Sequence, residues 1–109
     1  MTPTVEIHVE LDLFSGRPNP TWALQGPPAI ELLRRLDAVG GPSPAPAEAP
    51  DRLGYRGFVL SIEDKGVKRT WRVGDGVVRT SGKAYADPGG RIEQGLIAAT
   101  PAEFRKLIP

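Results

Sequence analysis

Two short stretches of the sequence hold polar side chains at positions where the backbone has little freedom. In the first stretch, Arg17 and Asn19 each precede a proline, which holds both residues in an extended conformation. In the second, Tyr55 and Arg56 lie between two glycines, a pattern typical of a turn or a bulge. Guanidinium and amide groups on a stiff backbone are suited to hydrogen bonding with a planar partner such as a carboxylate.

Both stretches adjoin predicted strands, so the 14–22 loop and the 54–57 turn can meet at one end of a sheet. We expect such a meeting to form a recess for a protein, a peptide or a small anionic ligand. The recess would be lined by six residues: Asp12, Ser15, Arg17, Asn19, Tyr55 and Arg56. The structural alternative is that these side chains bond to the protein's own carbonyls and carboxylates and lock the scaffold. Rigid proline-rich loops do this more often than they form a site, although ordered loops also carry function.

An enzyme using the same recess is a second possibility. In that hypothesis Tyr55 or Asp12 does acid–base work and Arg17 holds an anion. The sequence shows no nucleophile–base pair, it contains no cysteine, and its single histidine, His8, lies on a predicted strand. A non-catalytic binding or protein-interaction domain is therefore the favoured interpretation.

The polar face of the first predicted strand carries a row of potential metal ligands. Glu6, His8, Glu10 and Asp12 alternate with apolar residues. Successive members are about 6.6 Å apart by strand rise, which is wide for a shared ion. We therefore expect a solvated outer face, with no metal site and no cofactor.

A basic stretch between residues 65 and 83 supports a third possibility, nucleic-acid binding. Trp71 would serve as a stacking platform, and the only acid in the stretch is Asp75. The cations are Lys65, Lys68, Arg69, Arg72, Arg79 and Lys83. However, Trp71 shares its strand face with Val67 and Val73, which favours a place in the core.

The elements that must position these residues are mostly strands. Residues 4–13 alternate strictly between apolar and polar, which predicts a half-buried strand. Residues 28–39 show helical spacing behind two prolines, and a proline- and alanine-rich surface loop follows at about 40–51. Glycine-containing turns then separate strands near 58–63, 67–73 and 77–80. Asp87-Pro88 and the capping-box pattern Thr100–Glu103 begin two short C-terminal helices.

These elements predict a single α+β domain over residues 1–109. A mainly antiparallel sheet of about four or five strands would be covered on one face by the main helix and the short C-terminal helices. The N-terminal residues lack the pattern of a signal peptide, and no apolar run is long enough to span a membrane, so the sequence predicts a cytoplasmic protein.

The two polar stretches also carry a resemblance. The Asp-Leu-Phe-Ser-Gly-Arg-Pro-Asn-Pro-Thr-Trp loop (residues 12–22) and the Leu-Gly-Tyr-Arg-Gly-Phe turn (53–58) resemble a group of small hypothetical proteins. The likeness covers most of the chain. It implies a shared fold and no particular activity.

Overall fold

The computed structural model describes residues 6–13, 18–45, 54–64 and 66–108, and these form one antiparallel sheet with helices on one face. The strands are β1 (Glu6–Asp12), β2 (Thr21–Gln25), β3 (Gly57–Asp64), β4 (Val67–Gly74), β5 (Val77–Thr80) and β6 (Lys83–Ala86). The helices are α1 (Pro27–Asp37), α2 (Arg91–Ala99) and α3 (Ala102–Arg105), and a 3₁₀ turn (Pro88–Gly90) precedes α2.

The sheet has six strands in the order β2-β1-β3-β4-β5-β6. The α+β class and the antiparallel pairing are as predicted, but the expected strand number of four or five is too low. The difference lies in the two outer strands, β2 and β6, which have five and four residues. Patterns this short carry little periodic signal, and pairing with a longer neighbour decides their conformation.

The alternation in β1 places Ile7, Val9 and Leu11 in the core, where each is at most 1 % exposed. Apolar residues of β3 lie opposite them, with Val9 paired to Leu60 and Leu11 to Phe58. The helices cover this face of the sheet with apolar side chains: Ala29, Leu32 and Leu36 from α1, and Ile92 and Leu96 from α2. The opposite face of β1 is polar, as its sequence predicted.

Two helix ends differ from the sequence pattern. Asp87 does cap a helix, but across the 3₁₀ turn: its carboxylate accepts hydrogen bonds from the backbone N–H groups of Ile92 and Glu93 in α2. The capping box predicted at Thr100 does not form. The Thr100 hydroxyl instead donates to the Leu96 carbonyl at 2.8 Å, because Thr100 follows α2 directly and is buried.

The two edge strands of the sheet, β6 and β2, differ in whether other described residues pair with them. The start of the predicted surface loop lies along β6, where the Gly40 N–H donates to the Ala86 carbonyl and the Ser43 N–H to the Ala84 carbonyl, both at 2.9 Å. Residues 46–53 of that loop lie outside the described residues. At the other edge, no described residue outside β1 forms a backbone hydrogen bond with β2.

Candidate functional site

Asp12 is the centre of a charged cluster where β1 ends beside β3. Its side chain is buried, and one carboxylate oxygen lies 3.1 Å from Nη2 and 3.3 Å from Nε of Arg56. The other oxygen lies 3.1 Å from Nη1 of Arg72, which reaches across from β4. The Arg56 N–H also donates to the Asp12 carbonyl at 2.8 Å. One carboxylate therefore holds two guanidinium groups, and it joins β1 to β4 and to the residue that precedes β3.

Glycines make this arrangement possible. Gly57 has φ +109°, and a β-carbon there would overlap the carbonyl oxygen of Val73. A β-carbon on Gly74, directly across the pair, would lie 2.6 Å from the Arg56 carbonyl oxygen. The two backbones thus approach too closely for any side chain at Gly57 or Gly74.

Asn19 closes the loop that follows β1. Its amide oxygen accepts from the Leu13 N–H at 3.1 Å, and its amide nitrogen donates to a Glu10 carboxylate oxygen at 2.9 Å. Both ends of the Asn19 side chain are therefore engaged with β1. Ser15 and Arg17, the other two loop residues of the predicted recess, lie outside the described residues.

Tyr55 points away from this cluster, towards α2. Its hydroxyl donates to a Glu93 carboxylate oxygen at 2.5 Å, and the second oxygen accepts from the Asp75 N–H at 3.1 Å. Burial, together with the adjacent Glu93 carboxylate, raises the pKa of Tyr55 far above its ordinary value. The Tyr55 ring meets Phe58 edge-on, with centroids 6.1 Å apart. Tyr55 thus ties the 54–57 turn to a helix.

The structure therefore brings Asp12 and Arg56 together, holds Asn19 on the adjacent part of β1, and takes Tyr55 to the helical face. All four side chains have partners within the protein. A binding role for these residues and for Ser15 and Arg17 stays a prediction.

The basic residues of the nucleic-acid hypothesis do not share one surface. Trp71 is 3 % exposed, as its position beside Val73 predicted, and the Arg69 guanidinium lies 4.6 Å from the centre of its ring. Arg72 is bonded to Asp12, Arg79 is buried, and Lys65 lies outside the described residues. A continuous stripe with an exposed aromatic platform is therefore absent from the described part of the hairpins.

His8 lies on the polar face of β1 with 71 % of its side chain exposed, 3.5 Å from a Glu6 carboxylate oxygen. Within the described ranges, no three His, Cys, Asp or Glu side chains are grouped so that they could hold a metal ion.

A groove with a partly apolar lining lies between α1 and α2. Its larger part has a volume of about 630 Å³, and a smaller part of about 180 Å³ adjoins it. Both parts share Arg35, Ile92 and Gly95. The remaining residues of the larger part are Ala38, Val39, Asp87, Pro88, Arg91 and Gln94, and those of the smaller part are Leu24, Pro28, Glu31, Leu32, Leu96 and Ala99. We call this surface the α1–α2 groove.

Gly95 shapes the middle of the groove. A β-carbon at this position would lie 3.2 Å from Nη1 of Arg35, so the missing side chain lets the guanidinium lie against α2. By helix propensity alone, Gly95 only weakens a short helix. A glycine within a helix can also indicate that another group packs closely against the helix backbone. Gly95 was therefore the sequence feature that could have indicated this groove.

The cations of the groove have little competition from carboxylates. Arg35 meets Glu31 only through a long contact of 3.4 Å, and Arg91 forms no ion pair with any described residue. The Asp87 carboxylate is buried and accepts two backbone N–H groups at the start of α2. The groove therefore combines an apolar lining with two guanidinium groups, and of these only Arg35 is already in an ion pair with a described carboxylate.

Comparisons with known proteins do not assign this site: no family model, no curated protein and no solved structure matches the chain. Among the described residues, no helix has both the length and the apolar character needed to cross a membrane.

Proposed function

We propose that this chain is a small non-catalytic binding domain whose ligand is an amphipathic anion held in the α1–α2 groove. The observation that carries the proposal is the position of Arg35 and Arg91 beside an apolar lining. The larger part of the groove, at about 630 Å³, lies within the range of about 300–1,000 Å³ common for small-molecule sites. A carboxylate, sulfonate or phosphate would meet the guanidinium groups, and its apolar part would cover Val39 and Ile92.

Tyr55 and Asp12, the two acid–base candidates, are both bonded within the protein, which favours a binding function over catalysis. Tyr55 was one of the two acid–base candidates, but its raised pKa keeps the phenol protonated and its hydroxyl is bonded to Glu93. Asp12, the other candidate, is buried beneath two arginines. A general base must reach the proton it removes, and neither side chain is available for that.

Hydrogen bonds and ion pairs within the protein also argue against a ligand site in the recess between the 14–22 loop and the 54–57 turn. Asp12, Asn19 and Arg56 each support the backbone of that region through bonds to β1. A ligand there would have to displace these bonds. In the α1–α2 groove, a ligand anion would add a partner to Arg91 without displacing an ion pair formed by any described residue.

Binding of anilinonaphthalene sulfonate tests the proposal, because this probe joins an apolar ring system to an anion. We expect saturable fluorescence enhancement, weakened about three- to tenfold by Arg35→Gln or Arg91→Gln, as fits a charged hydrogen bond that is partly exposed. The neutral analogue phenylnaphthylamine should bind the parent and both variants alike.

Arg34→Gln is the matched control. Arg34 is the neighbouring cation on α1, forms an ion pair with Glu31 at 3.3 Å, and does not line the groove. Thermal unfolding of all variants must show an intact fold, because the probe also binds loosened structures. Equal weakening by Arg34→Gln and Arg35→Gln, or the absence of saturable binding to the folded parent, would contradict the proposal.

A further inference from the structure

The outer edge of β2 is the uncovered edge of the sheet in the described part of the chain. The opposite edge, at β6, is closed by the backbone of residues 40–43. β2 has no charged residue and no proline within Thr21–Gln25, the two features that most often keep an edge strand from pairing. Among the described residues, nothing occupies this edge or blocks its pairing with another strand.

The pairing of β2 with β1 shows which of its backbone groups face outwards. The Leu11 N–H donates to the Pro20 carbonyl at 3.0 Å, which makes these two residues a hydrogen-bonded pair. Such pairs recur at every second residue of an antiparallel ladder, so Trp22 and Leu24 also bond towards β1. The N–H and C=O groups of Thr21, Ala23 and Gln25 consequently point away from the sheet.

We propose that two copies of this chain associate through β2, antiparallel and about a twofold axis at Ala23. This register matches the three outward-facing residues with one another: Ala23 meets Ala23 of the second copy, and Thr21 meets Gln25. Each of these pairs can form two hydrogen bonds, which gives about six in all. The exposed side chains at the pairing are small or uncharged, so none repels its counterpart.

The same register improves the apolar contacts on the helical face. Trp22 and Leu24 are both only partly buried, although they pack against the core. In the twofold pairing, Trp22 lies directly opposite Leu24 of the second copy, in a pair without hydrogen bonds, where side chains come closest. Phe104, stacked on Trp22 with centroids 5.8 Å apart, extends this apolar surface. A second copy thus offers each half-exposed side chain an apolar partner.

Two prolines restrict the size of the interface. Pro20 precedes β2, and Pro27 begins α1 after Gly26 turns the chain with φ +67°. Pairing is therefore confined to the five residues of β2, and we expect a weak dimer of the kind that small interfaces form. This inference rests on the strand edge and is independent of the ligand proposed for the α1–α2 groove.

Sedimentation equilibrium of the full chain between about 10 µM and 1 mM, a range that covers weak association, tests the inference. The average mass should rise from 11.7 kDa towards twice that value. Ala23→Lys and Ala23→Glu should each raise the dissociation constant at least tenfold, because the twofold axis places two like charges opposite each other. An equimolar mixture of the two variants should restore association, since the charges then attract.

Thr70→Lys is the matched control, because Thr70 is an exposed residue of a central strand and its side chain lies on the same sheet face as Ala23. Its association should equal that of the parent. Circular dichroism must show that every variant is folded. A parent that stays monomeric throughout, dimers that Ala23→Lys leaves intact, or a mixture that fails to associate would each overturn the proposed pairing.

Discussion

Replacing Asp12 with alanine removes the carboxylate that Arg56 and Arg72 share, each at 3.1 Å. The backbone hydrogen bond from the Arg56 N–H to the Asp12 carbonyl does not depend on the side chain. The change therefore isolates the two ion pairs and leaves the strand pairing in place.

The magnitude follows from the exposure of each arginine. The Arg56 side chain is 16 % exposed, so its ion pair with Asp12 is largely buried. Breaking a buried pair in this way costs about 3–5 kcal/mol. The Arg72 side chain is 46 % exposed, and an exposed pair contributes only about 0–1 kcal/mol. We expect Asp12→Ala to lower the free energy of unfolding by about 3 kcal/mol, which a typical domain of this size can survive.

Urea unfolding of four proteins measures this loss: the parent, Asp12→Ala, Arg56→Met and the double variant. Methionine keeps much of the apolar stem of Arg56 and removes the charge. The double-mutant cycle should give a coupling free energy of about 2 kcal/mol, within the range for residues in one network. Asp37→Ala, which removes an exposed acid from the end of α1, should stay within about 0.5 kcal/mol of the parent.

A loss below about 1 kcal/mol for Asp12→Ala, or additive effects in the cycle, would refute this account. Either result would mean that water or another group compensates for the missing carboxylate and that the cluster does not hold the strands.

Three other substitutions have expected results. The folded state keeps Tyr55 protonated above the ordinary tyrosine pKa of about 10, whereas the unfolded state loses this proton near that pH. The free energy of unfolding should therefore fall as pH rises above about 10. In urea unfolding at several pH values, Tyr55→Phe should lack the part of this decrease that comes from Tyr55. Gly57→Ala should cost at least about 3 kcal/mol in urea unfolding, because its β-carbon would overlap the Val73 carbonyl and φ is positive; an effect below about 1 kcal/mol would contradict the close backbone approach. Gly95→Ala should raise the thermal midpoint through a gain of about 0.5–1 kcal/mol in helix propensity, since the flexible end of Arg35 can move aside; a lowered midpoint would show that this contact is rigid.

The sequence predicted those parts of the fold in which one pattern extends over many residues. The alternation through Val9 and Leu11 identified β1 and its buried face. The spacing of Ile30, Leu33, Leu36 and Val39 identified α1, but its buried residues are Ala29, Leu32 and Leu36, and Ile30 is 44 % exposed. Glycines and turns predicted the β3–β4 and β4–β5 connections. For β6 the sequence indicates only a possible extended piece around residues 83–85, and the predicted strand number is too low. The strand is short and depends on β5 and residues 40–43 for its partners.

The candidate site was less predictable, because its members belong to distant parts of the chain. The two glycines beside Tyr55 and Arg56 indicated a fixed direction for these side chains. Nothing in one sequence revealed that consecutive residues would reach opposite faces, one to Asp12 and the other to Glu93. The α1–α2 groove depends on how two helices diverge over a sheet, and only Gly95 hinted at it.

The pairing of β1 with β3 has a consequence for the order of folding. β1 and β2 form one hairpin from neighbouring segments, and β3 to β6 follow one another as a meander. Contacts within each unit are local, whereas the β1–β3 seam joins Asp12 to Gly57 across a long stretch of chain. Closing such a loop costs entropy before its contacts are gained, so docking of the two units is the slow step expected from the topology. The Asp12–Arg56 ion pair lies where β1 meets β3, so we expect it to stabilise the docked state of the β1–β2 hairpin and the β3–β6 meander.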